Sequence, residues 1–134
     1  MPIVLTIMIL FAGPLKAPDS KSIAILEATP IRPYDAIFKA VCRIESNNNP
    51  FAVGDKHLKG YSYGIAQIRQ IKLDDYFRLT GIRYTTDDMF DVVKAKEVFV
   101  HHMMQYNDVD YAVKRWNGKG VTTLAYLEKV KRYL

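Results

Sequence analysis

A helical stripe that stops abruptly against a run of asparagines constrains this chain more than any other feature. Ile37, Ala40, Val41 and Ile44 recur at i, i+3, i+4 and i+7, the spacing of one buried helical face. Glu45-Ser46-Asn47-Asn48-Asn49-Pro50 then ends the helix, because asparagines favour turns and proline disfavours helical geometry in the residue before it. Glu45 therefore falls in the last turn, where unpaired carbonyls and the negative end of the helix dipole crowd its carboxylate. Both effects raise the side chain's affinity for a proton. A carboxylic acid still protonated near neutral pH is what general-acid cleavage of a glycosidic bond requires. By itself, a Glu-Ser pair at a helix end is an ordinary solvated carboxylate.

The first residues have a different character. Pro2 to Phe11 is almost wholly apolar, followed by Ala12-Gly13-Pro14-Leu15-Lys16-Ala17. That is the length of a signal-peptide core and too short to span a bilayer comfortably. No Lys or Arg precedes the apolar run, and Ala17 or Ala12 supplies the small residue of a cleavage site. Residues 1–17 read as a signal peptide, with an uncleaved anchor as the competitor, so the expected location is the periplasm or cell envelope. Residues 18–32, with Pro18 and Pro30 and no clear periodicity, read as a linker or lead-in, and 33–134 as one domain large enough for a core.

A net charge of +5 suits an acidic polymer, whether nucleic acid, anionic lipid or bacterial cell wall. The basic residues are scattered and form no nucleic-acid motif, so no nucleic-acid partner is expected. Cys42 is the single cysteine, which excludes an internal disulfide or a thiolate zinc cluster. It reads as a small packing residue. His101 and His102 are adjacent and point to different sides of a helix, so no metal site and no cofactor are expected.

Along the domain, Pro33 suits the first turn of the helix ending near Glu45. Residues 50–68, with Gly54, Gly60 and Gly64 among short alternations, read as a small hairpin or extended loop. Helices are expected from Gln70 to Leu79, stopped by Gly81, and from a Thr85 or Thr86 cap to about Tyr106, with Met89, Val92, Val93, Val98, Phe99 and Met103 as the stripe. A shorter helix runs from about Asp108 to Arg115, ending in Asn117-Gly118. The last starts near Thr123 and buries Leu124, Leu127 and Val130. The expected fold is mainly α, with one small β region forming a substrate cleft.

Three segments carry the chemistry. They are Glu45-Ser46 with Asn49-Pro50-Phe51-Ala52; Ser62-Tyr63-Gly64-Ile65-Ala66-Gln67-Ile68; and Arg115-Trp116-Asn117-Gly118 with Gly120, followed by Tyr126 to Tyr133. A cleft for polysaccharide needs an acid, polar groups for acetamido and hydroxyl substituents, and flat faces for sugar rings. Glu45 is the candidate acid. Gln67 offers an amide, Gly64 a close backbone approach, and Asn117 a hydrogen bond to sugar or to Glu45. Tyr61, Tyr63 and Trp116 offer flat faces with polar edges. The plain alternatives are a Gln67 that satisfies loop backbone, an Asn117-Gly118 helix cap and a core Trp116.

The order and spacing of these segments resemble the soluble lytic transglycosylase family of the lysozyme-like superfamily, over roughly residues 33–134. That family carries Glu-Ser, then Gly-x-x-Gln-Ile, then an aromatic-Asn-small-Gly segment. Ile65-Ala66 stands where the family usually has Leu-Met, Arg69 follows Gln-Ile where proline is frequent, and Trp116 stands where Tyr is commonest. These departures bear on subsite detail and leave the acid untouched. The resemblance implies an α+β lysozyme-like fold, a substrate-binding set of Ser46, Tyr63, Gly64, Gln67, Trp116 and Asn117, and the glycan strand of peptidoglycan as partner. It implies that Glu45 protonates the bond between N-acetylmuramic acid and N-acetylglucosamine, then acts as base on the muramyl 6-hydroxyl to give a 1,6-anhydro product.

Two alternatives stand beside that reading. A hydrolytic muramidase needs a second carboxylate, for which Asp55, in Val53-Gly54-Asp55-Lys56, is the candidate, although a turn aspartate is the plainer account. A peptidoglycan-binding module without turnover is the other. A monomer is expected, and cell-envelope secretion or conjugation machinery is an open partner.

Overall fold

The computed structural model describes residues 34–134 of the chain. The expectations for residues 1–33, signal peptide and linker included, lie outside the described residues.

The opening helix, α1 (34–46), buries Ile37, Phe38, Ala40, Val41 and Cys42. Its end explains the asparagine run. Asn47 and Asn48 both take left-handed backbone, φ 53° and 63°, a conformation asparagine tolerates better than most residues. Their N–H groups bond back to the carbonyls of Arg43 and Cys42, at 3.2 and 3.1 Å. The chain thus reverses directly after Glu45. Ser46 Oγ donates to the carbonyl of Ile65 at 2.7 Å and accepts from the N–H of Asn49 at 3.1 Å, tying the helix end to the β region.

That region is a small antiparallel sheet rather than a single hairpin. Strands β1 (Val53–Gly54), β2 (Ser62–Tyr63) and β3 (Ile68–Arg69) lie in the order β1-β2-β3, with Val53 opposite Tyr63 and Tyr63 opposite Ile68. Two-residue strands hold little by themselves. The side chain of Gln67, with φ 50°, braces them: Nε2 donates to the carbonyls of Ala52 and Gly64, at 3.2 and 3.0 Å, and Oε1 accepts from Ser62 Oγ at 2.6 Å.

Helix α2 (Gln70–Thr80) ends on Gly81, whose φ of 75° and bond to Phe77 O make the expected left-handed cap. The long helix expected from 85 to 106 is two elements. A 3₁₀ turn, Asp87–Phe90, is joined to α3 (Val92–Met104) through Asp91, which leaves helical geometry to accept from the N–H groups of Val93 and Lys94. Aspartate serves better as an N-cap than inside a helix, and periodicity does not register that choice. Val92 and Val93 are consequently exposed, whereas Met89, Val98, Phe99 and Met103 are buried.

Helix α4 (Val109–Asn117) is capped by Asp108, which accepts from Tyr111 N at 2.9 Å. Helix α5 (Thr122–Lys131) buries Thr123, Tyr126, Leu127 and Val130. Leu124, expected in the core, is exposed: the set 124, 127, 130 steps by three and drifts around the helix, while 123, 126, 127, 130 keeps to one face. Phe99 of α3 lies at the centre of the core, 5.3 Å from the ring of Phe38 and 4.9 Å from that of Trp116. Burying a side chain of this size contributes about 2–3 kcal/mol. The described chain is thus mainly helical with one small three-stranded sheet.

Candidate active site

The end of α1, the sheet and the ends of α2 and α4 enclose a groove of about 1000 Å³. Glu45, Asp55, Gln67, Trp116 and Asn117 all line it, although they are spread over more than seventy positions of sequence. Glu45 is half-buried. The hydroxyl of Tyr126, on α5, donates to Glu45 Oε1 at 2.7 Å. Burial raises the pKa of Glu45 above its ordinary 4.5; the Tyr126 hydrogen bond opposes that rise, nearby negative charge on Asp55 adds to it, and Lys129 opposes it. Burial, the charge of Glu45 and this hydrogen bond push the Tyr126 phenol far above its own ordinary value, so it remains a donor at any physiological pH. Cys42, one turn back along α1, has its thiol raised to about 12 by burial, which fits packing and not nucleophilic chemistry.

The groove thus holds a carboxyl group of raised proton affinity, oriented by one buried donor and open to a ligand. Asp55 lines the same groove in left-handed backbone, φ 56°. It makes no ion pair with Lys56 among the described residues.

The remaining candidates divide. Asn117, the last residue of α4, lines the groove and is exposed. Gln67 lines it too, but its amide is occupied in bracing the sheet. Gly54 makes room for that amide: a Cβ there would stand 2.1 Å from Gln67 Oε1. Trp116 contributes a wall that is only 7% exposed, with Lys72 Nζ 5.1 Å from its ring centre, so the expected open sugar face is largely covered. Tyr61, 42% exposed, is the open aromatic of the groove.

Tyr63, Gly64 and Ser46 do not line it. Strand alternation directs Ser62 towards the groove and Tyr63 away from it, against Phe90 at 6.1 Å. The close approach at Gly64 is to protein: a Cβ there would stand 1.9 Å from Met89 O. Ser46 spends its hydroxyl joining α1 to the sheet. Ser46 and Gly64 therefore hold the site together without touching its space.

Tyr126, which the third segment includes only as a packing residue of the last helix able to edge the cleft, is the residue that touches the acid. Its signal is position alone, since it shares the helical face of Leu127 and Val130 while ending in a hydroxyl that needs a buried acceptor. Replacing Tyr126 with Phe is expected to raise the pKa of Glu45 further, because the donor favours the charged carboxylate. An NMR titration of the Glu45 carboxyl should show its midpoint move upward; an unmoved midpoint would rule out Tyr126 as a tuning residue.

Comparison with protein-family models, curated proteins and solved structures finds no significant match to this chain.

Proposed function

We propose that this protein cleaves the glycan strand of peptidoglycan by general-acid catalysis from Glu45, as a lytic transglycosylase of lysozyme-like type. One observation carries the reading: a single half-buried carboxyl of raised proton affinity faces a groove of about 1000 Å³ while a buried tyrosine fixes its orientation. The order of the Glu-Ser, Gly-x-x-Gln-Ile and aromatic-Asn segments supports the same chemistry. Glu45 gives its proton to the bridging oxygen, and the substrate's acetamido group stabilises the cation-like centre. Ionised Glu45 then takes the proton of the muramyl 6-hydroxyl, which closes on the anomeric carbon to leave an anhydro end. The net charge of +5 favours capture by an anionic cell wall, from an exported position in the periplasm or envelope.

Hydrolysis is the second reading, favoured by the position of Asp55 in the same groove. A carboxylate on the far side of the sugar from the acid can activate water. Mass spectrometry of fragments released from purified walls separates the two, with anhydro ends expected and reducing ends the mark of hydrolysis. Asp55→Asn should keep anhydro products forming. It should also shift the alkaline limb of the pH profile downward, because the Asp55 charge raises the pKa of Glu45. Loss of all products in Asp55→Asn, with the fold intact, would instead make Asp55 part of the reaction.

A further inference from the structure

The groove holds more positive charge than a neutral sugar chain would require. Lys59, Arg69, Lys72, Arg115 and Lys119 all line it, against three acids, Glu45, Asp55 and Asp75. Arg69 is committed to structure, since its guanidinium donates to the carbonyls of Lys59 and Gly60 at 3.3 and 2.8 Å. Lys72 is different. It is half-buried on α2, donates to the carbonyl of Arg115 at 3.2 Å and stands over the ring of Trp116. Among the described residues no carboxylate lies within 4 Å of Lys72 or of Arg115. Asp75, one turn further along α2, is paired with Arg78 at 2.9 Å.

The groups facing Lys72 do little to compensate it. Burial lowers its pKa to about 8, Asp75 opposes that shift, and Arg115 on α4 adds to it. His102 on α3 is driven down to about 4 by burial and by the Lys72 charge, so it stands neutral and adds no second cation there. A half-buried ammonium bonded to the Arg115 backbone, on the same groove as the Arg115 side chain and with Asp75 beyond salt-bridge reach, is a costly arrangement that an incoming anion would relieve.

We propose that Lys72 and Arg115, with exposed Lys119 on the same groove, form an anion subsite that takes a carboxylate carried by the glycan. This rests on the glycan-cleaving reading and assigns the site a preference for charged strands over neutral ones. Two carriers share that chemistry: the lactyl carboxylate of a strand stripped of its peptides, and the carboxylates of intact peptide stems.

The test is calorimetric titration of the full chain carrying Glu45→Gln, to prevent turnover. Three glycans are compared: a neutral chitooligosaccharide, peptide-free strands and peptide-bearing strands. A charged strand should bind about tenfold more tightly than the neutral one, the worth of one charge-assisted hydrogen bond. Lys72→Met, which keeps an aliphatic stem against Trp116, and Arg115→Gln should each remove that preference while leaving chitooligosaccharide binding unchanged. An anion at this place raises the pKa of Lys72, so binding near pH 8 in buffers of different ionisation heat should be accompanied by proton uptake, which Lys72→Met should lose. Preference for peptide-free strands assigns the lactyl group; preference for peptide-bearing strands alone assigns the stems. Charge-blind binding by the parent protein, or equal weakening of all three glycans in both variants, overturns the subsite and leaves the role of Glu45 standing. Binding of none of the three overturns the glycan reading and the subsite with it.

Discussion

Glu45→Gln should stop the clearing of purified cell walls, with a loss of about 10²–10⁴-fold, the usual contribution of a positioned general acid. The amide keeps the shape of the side chain and can still accept from Tyr126, so wall binding and fold should survive. The same substitution should make the protein more stable at neutral pH. Burial raises the folded-state pKa of Glu45 above the ordinary 4.5 that an unfolded chain approaches. For a carboxyl shifted in that direction, the stabilising contribution is full below the unfolded pKa and is lost as pH rises through the folded one. Above the ordinary carboxyl pKa the raised proton affinity of Glu45 therefore opposes folding, and glutamine, which has no charge to bury, removes that penalty. Thermal unfolding should give a higher Tm for Glu45→Gln at pH 7, with the gap closing towards pH 4. Clearing at the parental rate would eliminate Glu45 as the acid. A variant less stable at pH 7 than at pH 4, relative to the parent, would mean that the carboxylate is not under the desolvation described.

This pairing of lost activity with gained stability is the mark of a group held in place for chemistry. It also separates two roles that look alike in sequence. Glu45 could be located from local signals, because a helix stop, a dipole and a neighbouring Ser46 all act within one turn. The helices were legible for the same reason: Gly81, Asp108 and the Asn117-Gly118 pair are local punctuation. What escaped was set by distant contacts. Asp91 is the exception, since its cap is made within three residues but competes with an unbroken apolar stripe, and Leu124 lies off the face of Thr123, Tyr126, Leu127 and Val130 that packs on the core and meets Glu45. The commitment of the Gln67 amide to the sheet, and of Gly64 to a close backbone approach, had the same origin. Each lies in a motif beside the groove, yet the partners that occupy them, Ser62, Ala52 and Met89, are known only once the chain is folded. Lys72 gave no local sign at all, since its character comes from Trp116 and Arg115, more than forty residues away.

Gly64→Ala should be the most damaging single-carbon change in the described chain. Gly64 has φ 78°, where an alanine carries a penalty of about 1 kcal/mol. Its added Cβ would stand 1.9 Å from the carbonyl oxygen of Met89 and 2.7 Å from the carbonyl carbon. Both are backbone atoms of a turn whose Met89 side chain is fully buried, so no flexible group can yield. Overpacking of this kind adds about 1–3 kcal/mol. A total of about 2–4 kcal/mol is a large part of the stability of a domain this size, and a drop in Tm of about 10–25 °C follows. Gly81→Ala is the control, because Gly81 has φ 75° but nothing within 4 Å of its would-be Cβ. It should lose only the backbone contribution of about 1 kcal/mol. Urea unfolding of the two variants isolates the clash, and equal losses would show that the Gly64–Met89 approach is not a close contact in solution. The functional consequence follows from connectivity. Gly64 donates to Ala52 O, and its carbonyl accepts from both the backbone N–H and the side chain of Gln67. Forcing residue 64 away from Met89 therefore loosens the brace that fixes β1 and β2. Any Gly64→Ala protein that still folds should clear walls more slowly, although its acid, its tyrosine and its cationic wall are all unchanged.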